Sequence, residues 1–203
     1  MNKLLIIGGG GHARSCIDVV ELERKYKIVG IVDKKSPLLN KKKIIYPVIG
    51  SDSDLIKIQK ICNNAIIAIG QIKSPKKRID LYELLQNLNY NLPVIVSPNS
   101  HVSSRSEIEE GSIIMHQVII NSNSKIGKNC IINTKSLIEH DVIIDNFCHI
   151  APGAILNGGV QVGKGTFIGS GAIIRESVKI GKNCVIGSGA VVKKDILRNT
   201  TVL

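Results

Sequence analysis

From Val102 the chain keeps a period of six. Val102, Ile108, Ile114, Ile120, Ile126, Ile132, Ile138, Ile144, Ile150, Leu156, Val162, Ile168, Ile174, Ile180, Ile186 and Val192 are sixteen aliphatic residues in unbroken register. If a third of residues were aliphatic, chance would give this roughly once in 10⁷ trials, so the period is structural. A second register runs with it. Four residues after most of these aliphatics stands a small side chain, as at Ser112, Ser124, Cys130, Ser136, Cys148, Ala154, Thr166, Ala172, Cys184 and Ala190. Glycine often follows the aliphatic directly, as at Gly127, Gly163, Gly169, Gly181 and Gly187. Small and aliphatic positions lie two apart, so both point to one side of a short strand. The residues between strands turn a corner, where Gly, Asn and Asp tolerate unusual backbone angles. This is the hexapeptide repeat of a parallel β-helix: three hexads make one triangular coil, and coils stack about 4.8 Å apart. Cys130, Cys148, Thr166 and Cys184 recur every eighteen residues. They therefore form one interior column, where a free thiol behaves as a small apolar group.

The first ninety-six residues follow another pattern. "KLLII", "IVGIV", "YPVIG" and "AIIAIG" read as strands, and "PVIV" at 93–96 closes the unit. Between them, 12–23, 51–62 and 74–88 carry helical periodicity. Alternating strands and helices imply a parallel sheet, hence a small Rossmann-like α/β domain at 1–96 ahead of the all-β domain at 97–203. Ligands of such sheets bind beyond the carboxyl ends of strands. There stand the glycines Gly8 to Gly11, Asp33 and the Gly70-Gln71 pair. Gly8, Gly10 and Ala13 fit a dinucleotide fingerprint, but the domain is short for two mononucleotide halves and His12 occupies the mouth of the loop. A nucleotide sugar fits better: helix N-terminal amides take phosphates and Asp33 accepts hydrogen bonds from hydroxyls. A tight glycine turn without a ligand stays open beside it.

Composition narrows the classes. Aromatic residues are 3% of the chain and Trp is absent, so Ile, Val and Leu must fill the core. The net charge of +11 suits anionic ligands, and equally matches a compositional bias toward Lys, Ile and Asn. No basic block carries interleaved aromatics, which argues against nucleic acid. Five cysteines form no CxxC pair, so no metal is expected. "MNKLLIIGGGGH" breaks its apolar run at glycine, and no stretch approaches membrane-spanning length, so a cytoplasmic location is expected.

Chemistry concentrates in "LIEHD". His140 lies between Glu139 and Asp141, two positions after Ile138, at a corner where its side chain points outward. A carboxylate on each side orients the ring and favours the imidazolium. His149 faces outward between inward Cys148 and Ile150, on another face of the coil. His116 takes the same hexad position as His140, lacks a flanking carboxylate and is expected at the surface; His101 has no evident partner.

An α/β unit opening "IIGGGGHARSCIDVV", followed by coils containing "NTKSLIEHDVIIDNFCHIAPGA", resembles the sialic acid O-acetyltransferases and the N-acetyltransferases of nucleotide-linked 4-amino-4,6-dideoxy sugars. The resemblance spans nearly the whole chain. It implies a left-handed β-helix and a homotrimer with active sites between subunits. His140 matches the catalytic base and Asp141 the acid that raises its basicity. Asn133 matches a polar residue near the acceptor. His149 and the Gly158 backbone match positions near the acetyl-CoA thioester, and Ser170 and Ser188 match coil positions along CoA. Gly11, His12, Asp33, Lys34 and Gly70 match the nucleotide-sugar pocket. Relatives continue past "NTTV" into a Gly-x-Pro-Ala-Lys tail that helps hold CoA, which this chain does not show. The implied activity is acetyl-CoA-dependent N-acetylation of a UDP-linked 4-amino sugar for surface glycan synthesis, with no metal. O-acetylation of a sialic or related nonulosonic acid is the alternative, and a non-catalytic trimeric scaffold the alternative of another class.

Overall fold

The computed structural model describes residues 1–34 and 45–203. The N-terminal domain is a parallel sheet of β1 (Asn2–Ile7), β2 (Tyr26–Val32), β3 (Val48–Gly50) and β4 (Ala65–Ile67), in the order β3-β2-β1-β4. Helix α1 (Gly11–Glu23) follows β1 through the glycine loop, and α3 (Lys76–Asn87) follows β4. The helix expected over 51–62 shrinks to a 3₁₀ turn (Asp52–Asp54) and α2 (Leu55–Ile58). Its start is fixed by a capping box between Ser51 and Asp54. Leu5, Ile7, Leu55, Leu81 and Leu85 pack on one side of the sheet; Leu4, Ile6, Ala13, Cys16 and Val20 pack on the other.

The second domain is a left-handed parallel β-helix of two-residue strands. They stack into three sheets that form the sides of a prism. Successive coils pair residues eighteen apart, as in Ile131–Ile132 with His149–Ile150, so the period of six becomes three faces. The aliphatic series from Ile114 to Val192 is buried. The last coil is two residues shorter: Ile180 bridges Ile196 and Val185–Ile186 pair with Thr201–Val202. Every sixth residue from Gly111 to Gly189 has positive φ, which defines type II turns. Glycine takes six of these positions, and Asn123, Asn129, Asp141 and Asn183 take others. The glycine after the aliphatic has a different cause: a Cβ on Gly163 would stand 2.7 Å from a backbone carbon of Gly181 in the next coil.

The interior column of small polar groups also has a use. Ser112 Oγ, Cys130 Sγ, Cys148 Sγ and Thr166 Oγ1 each donate to the carbonyl fifteen residues on, at 2.7, 3.2, 3.3 and 2.8 Å. All five cysteines are free and buried.

"PVIV" does not close the α/β unit. Ile95–Val96 pair with Ile113–Ile114 and form the first strand of the prism. Beside Ile95, the outward side chains Ile113 and Ile131 join the core beneath α1, so the α/β domain sits on this side, the covered face. A second side bears His101, Ile119, Leu137, Ile155, Ile173 and Val191 outward; this is the apolar face. The third bears Glu107, Lys125, Ile143, Gln161 and Lys179 outward; this is the charged face.

Candidate active site

His140 and Asp141 are the central residues of the corner between the apolar and charged faces. Asp141 takes φ +61°, a left-handed conformation that Asp tolerates. That twist brings its Oδ2 to 2.8 Å from His140 Nδ1. The imidazole holds the Asp141 carboxyl below the usual carboxylate range, assisted by Asn123. The Nδ1–H therefore donates to Asp141 and Nε2 is left as the outward basic nitrogen. Only one of the two flanking carboxylates orients the ring. Glu139 Oε2 instead accepts from Asn121 Nδ2 at 2.9 Å, and touches His140 only at its backbone N–H, 3.4 Å away.

Gly158 lies one coil beyond His140, against the ring. A Cβ there would stand 2.6 Å from His140 Cε1 and 2.8 Å from Nε2. The Gly158 carbonyl accepts from Ser177 N, while its N–H meets no acceptor among the described residues.

His149 is not the exposed group its place in the hexad suggested. It points out of the covered face, but the α/β domain closes over it and leaves 8% of its surface accessible. Its Nδ1–H donates to the Gln71 carbonyl at 2.6 Å, so Nε2 is the acceptor for Asn133 Nδ2 at 3.1 Å. The Phe167 ring meets it edge-on at 5.2 Å and the His12 ring lies 6.3 Å away. Burial lowers its pKa to about 4, and Arg78 adds to the fall. Burial, Arg78 and His149 likewise lower His12 to about 3. Both rings are neutral near pH 7, and His12 Nε2 is buried without a partner among the described residues.

His12 also lines a 190 Å³ cleft at the carboxyl ends of the strands, with Gly8 to Gly11, Asp33, Ala68, Ile69, Gly70 and Lys77. Helix α1 opens on this cleft with no side-chain cap and no acidic residue in its first turn. Such an end favours anions. Asp33 has a structural duty here: its carboxylate accepts from Gly9 N at 2.6 Å and Lys34 N at 2.7 Å, which ties the glycine loop to β2. Lys34 is exposed outside the cleft lining, and Lys77 of α3 supplies the cation there. The Ser-Pro start of α3, just beyond Gly70, was the available signal for Lys77. Ser170 and Ser188 are exposed in successive turns between the covered and apolar faces, on the same edge as Asn133.

Within one chain, then, the candidates fall into two groups. Asn133, His149, His12 and the cleft cluster on and beside the covered face. His140, Asp141 and Gly158 stand at the far edge of the apolar face. His116 belongs to neither. It is not a bare surface group: its Nε2 lies 2.8 Å from Asp18 Oδ2 on α1, and its Nδ1 2.7 Å from Ser97 Oγ. The carboxylate comes from a distant helix, where sequence neighbours could not reveal it. No group of three or more His, Cys, Asp or Glu able to hold a metal occurs among the described residues. No helix among them is long and apolar enough to cross a membrane.

A β-helix of hexads joined to this α/β unit defines a hexapeptide-repeat acyltransferase. The PglD N-terminal domain model matches residues 3–85, and the bacterial transferase hexapeptide (six repeats) model matches 123–158 and 159–194. PerB from Caulobacter crescentus, solved with CoA and GDP-perosamine, is 30% identical with a TM-score of 0.90, over 99% of this chain and 93% of that one. The acetyltransferase domain of PglB from Neisseria gonorrhoeae, solved with acetyl coenzyme A, is 29% identical with a TM-score of 0.90, over 99% and 96%. WeeI from Acinetobacter baumannii is 27% identical with a TM-score of 0.85, over the same shares. A search of curated proteins finds no match. The chain belongs to the perosamine- and bacillosamine-type family of hexapeptide-repeat sugar N-acetyltransferases.

Proposed function

We propose that the protein moves the acetyl group of acetyl-CoA to the 4-amino group of a UDP-linked 4-amino-4,6-dideoxy sugar, in a homotrimer with each site between two chains. The carrying observation is the layout of the apolar face. His140 stands on one of its edges; Asn133, Ser170 and Ser188 stand on the other, with His149 just behind. Its outward column of Ile119, Leu137, Ile155, Ile173 and Val191 is partly exposed. Three copies turning this face to a common axis bury the column. The same arrangement sets the His140 edge of one chain against the Asn133 edge of the next.

The chemistry follows from that seam. The cleft and the α1 N-terminus take the nucleotide's phosphates. The acceptor amine attacks the thioester carbonyl while His140 Nε2 removes its proton; Asp141 supports the imidazolium. The Gly158 N–H, which meets no acceptor among the described residues, is the donor we assign to the tetrahedral oxyanion. The C–S bond then breaks, and the imidazolium returns its proton to the departing thiolate. Two structures of perosamine N-acetyltransferase from Caulobacter crescentus with CoA and GDP-perosamine are of variants in which one histidine is replaced by Asn or Ala, which fits a reaction centred on histidine.

A thiol-release assay with acetyl-CoA and UDP-linked, GDP-linked or free sugars is the test. Turnover with the UDP-linked amine and a fall of at least about 100-fold in His140→Ala, with the trimer intact, are expected. Turnover only with the GDP-linked amine would move the nucleotide assignment. Turnover only with a free sugar acid would replace N- by O-acetylation. Unchanged turnover in His140→Ala would remove His140 from the mechanism.

A further inference from the structure

Arg78, in the first turn of α3, is 1% exposed and has no carboxylate partner among the described residues. A buried guanidinium without a counter-ion must be solvated by protein dipoles. Here Nη1 donates to the carbonyls of Ile67 (3.2 Å) and Ile69 (2.7 Å), while Nη2 donates to Asn129 O (2.6 Å) and Asn129 Oδ1 (2.5 Å). Ile67 ends β4; Asn129 is the left-handed residue of a prism turn. One planar fork thus joins the carboxyl end of the sheet to the β-helix. The chain that leaves this fork runs directly into the site. Gly70 lies against His12, its Cβ position 3.7 Å from His12 Cβ. The Gln71 carbonyl takes the His149 Nδ1–H, and Gln71 Nε2 donates to the Gly165 carbonyl at 3.1 Å. Residues 69–71 are therefore strung between the guanidinium and the prism.

We propose that Arg78 is a positioning residue for acetyl transfer: by anchoring Ile69 against Asn129 it sets Gly70 and Gln71, and through them the tautomer of His149 and the seat of His12. Its fixed positive charge, beside two rings that need to stay neutral, acts in the same sense. Lysine does not replace it, because a single ammonium cannot reproduce a planar fork spanning two domains.

The inference rests on the acetyl-transfer reading, so its first readout needs no substrate. The protein has five histidines, which allows nitrogen NMR of each ring. Wild type is expected to show His149 in the Nδ1–H tautomer. In Arg78→Lys, well below its melting temperature, His149 should become a tautomer mixture and titrate closer to the ordinary histidine range. His101 and His140 should be unmoved. Turnover should fall about tenfold or more, with a matching rise in acceptor KM and little change in KM for acetyl-CoA. Asn129→Gly keeps a residue suited to positive φ and removes one acceptor of the fork; it should give the same changes in smaller size. It serves as the test if Arg78→Lys does not fold. A lower melting temperature with His149 signals and kinetics unchanged in these variants would overturn the proposal and leave Arg78 a stabilising group only. Shifted histidine signals in a protein that acetylates no sugar would overturn the functional reading and its transfer role for Arg78, and leave standing only that Arg78 sets the His149 tautomer.

Discussion

The prism and the seam above its covered face are built on opposite terms. In the prism each residue repeats the duty of the one eighteen before it, and the polar groups inside are small and donate locally. In the seam nothing repeats. A guanidinium, one histidine and a glutamine side chain are buried where the α/β domain meets the coils, with half-buried His12 beside them. The prism supplies a rigid edge on which His140 stands exposed; the seam supplies desolvation and tautomer control. A periodic scaffold can place a base, but an environment that alters a histidine's ionisation needs a second body to close over it.

The largest effect should come from the prism's apolar face. Ile119 on that face and Ile143 on the charged face are equally exposed, both 44%, in similar two-residue strands. Ile119→Lys is expected to dissociate the proposed trimer and remove nearly all turnover, while Ile143→Lys leaves both intact. Light scattering and the thiol assay check this. Dissociation by the Ile143 change alone would place the axis on the charged face and leave the His140 edge without its partner.

Glycine substitutions divide the scaffold from the site next. Gly158→Ala places a methyl where the His140 ring now lies and demands no unusual backbone angle. Turnover should drop by about tenfold or more with the melting temperature nearly unchanged. Gly127→Ala meets Asn146 backbone nitrogen at 2.8 Å, far from His140 along the coil. It should cost about 1–3 kcal/mol of stability as an overpacking change, with turnover per folded trimer preserved. Equal stability losses and equal activities in the two variants would deny the separation.

The same division explains which parts of the molecule are legible in its sequence. The coils were legible because sixteen aliphatic positions in register admit few alternatives. The exposed corner place of His140 followed from counting two past Ile138. The seam was not legible, since its bonds join residues 51 to 98 positions apart: Arg78 to Asn129, Gln71 to His149, Asp18 to His116. His149 looked outward on the hexad pattern, which describes the prism and knows nothing of what covers it. Asp33 reads as a ligand group from local sequence, which hides that both its carboxylate oxygens also hold backbone amides.

The smallest effect, and the one most confined to the seam, is acid sensitivity. In the unfolded chain His149 takes up a proton near pH 6.5; in the folded protein only near about 4. Between those values the unfolded state binds more protons, so stability rises with pH there. The contribution is fully present above pH 6.5 and is lost as pH falls through about 4. The gap corresponds to on the order of 3 kcal/mol. His12, lowered to about 3, extends the same trend further down. Asp141 and Glu110, both held below the usual carboxylate range, add to the loss only from about pH 4.5 downward. Melting temperature should therefore begin to fall below pH 6.5, before the carboxylates add their own loss. His149→Gln should flatten that segment of the curve while starting from a lower value at pH 7.5. Hydrogen exchange at pH 4.5 should show the first loss of protection at residues 65–71 and not in the coils from 155 to 192. Earliest opening in those coils would mean that the histidines do not set the acid limit, and that the periodic half of the molecule is the weaker one.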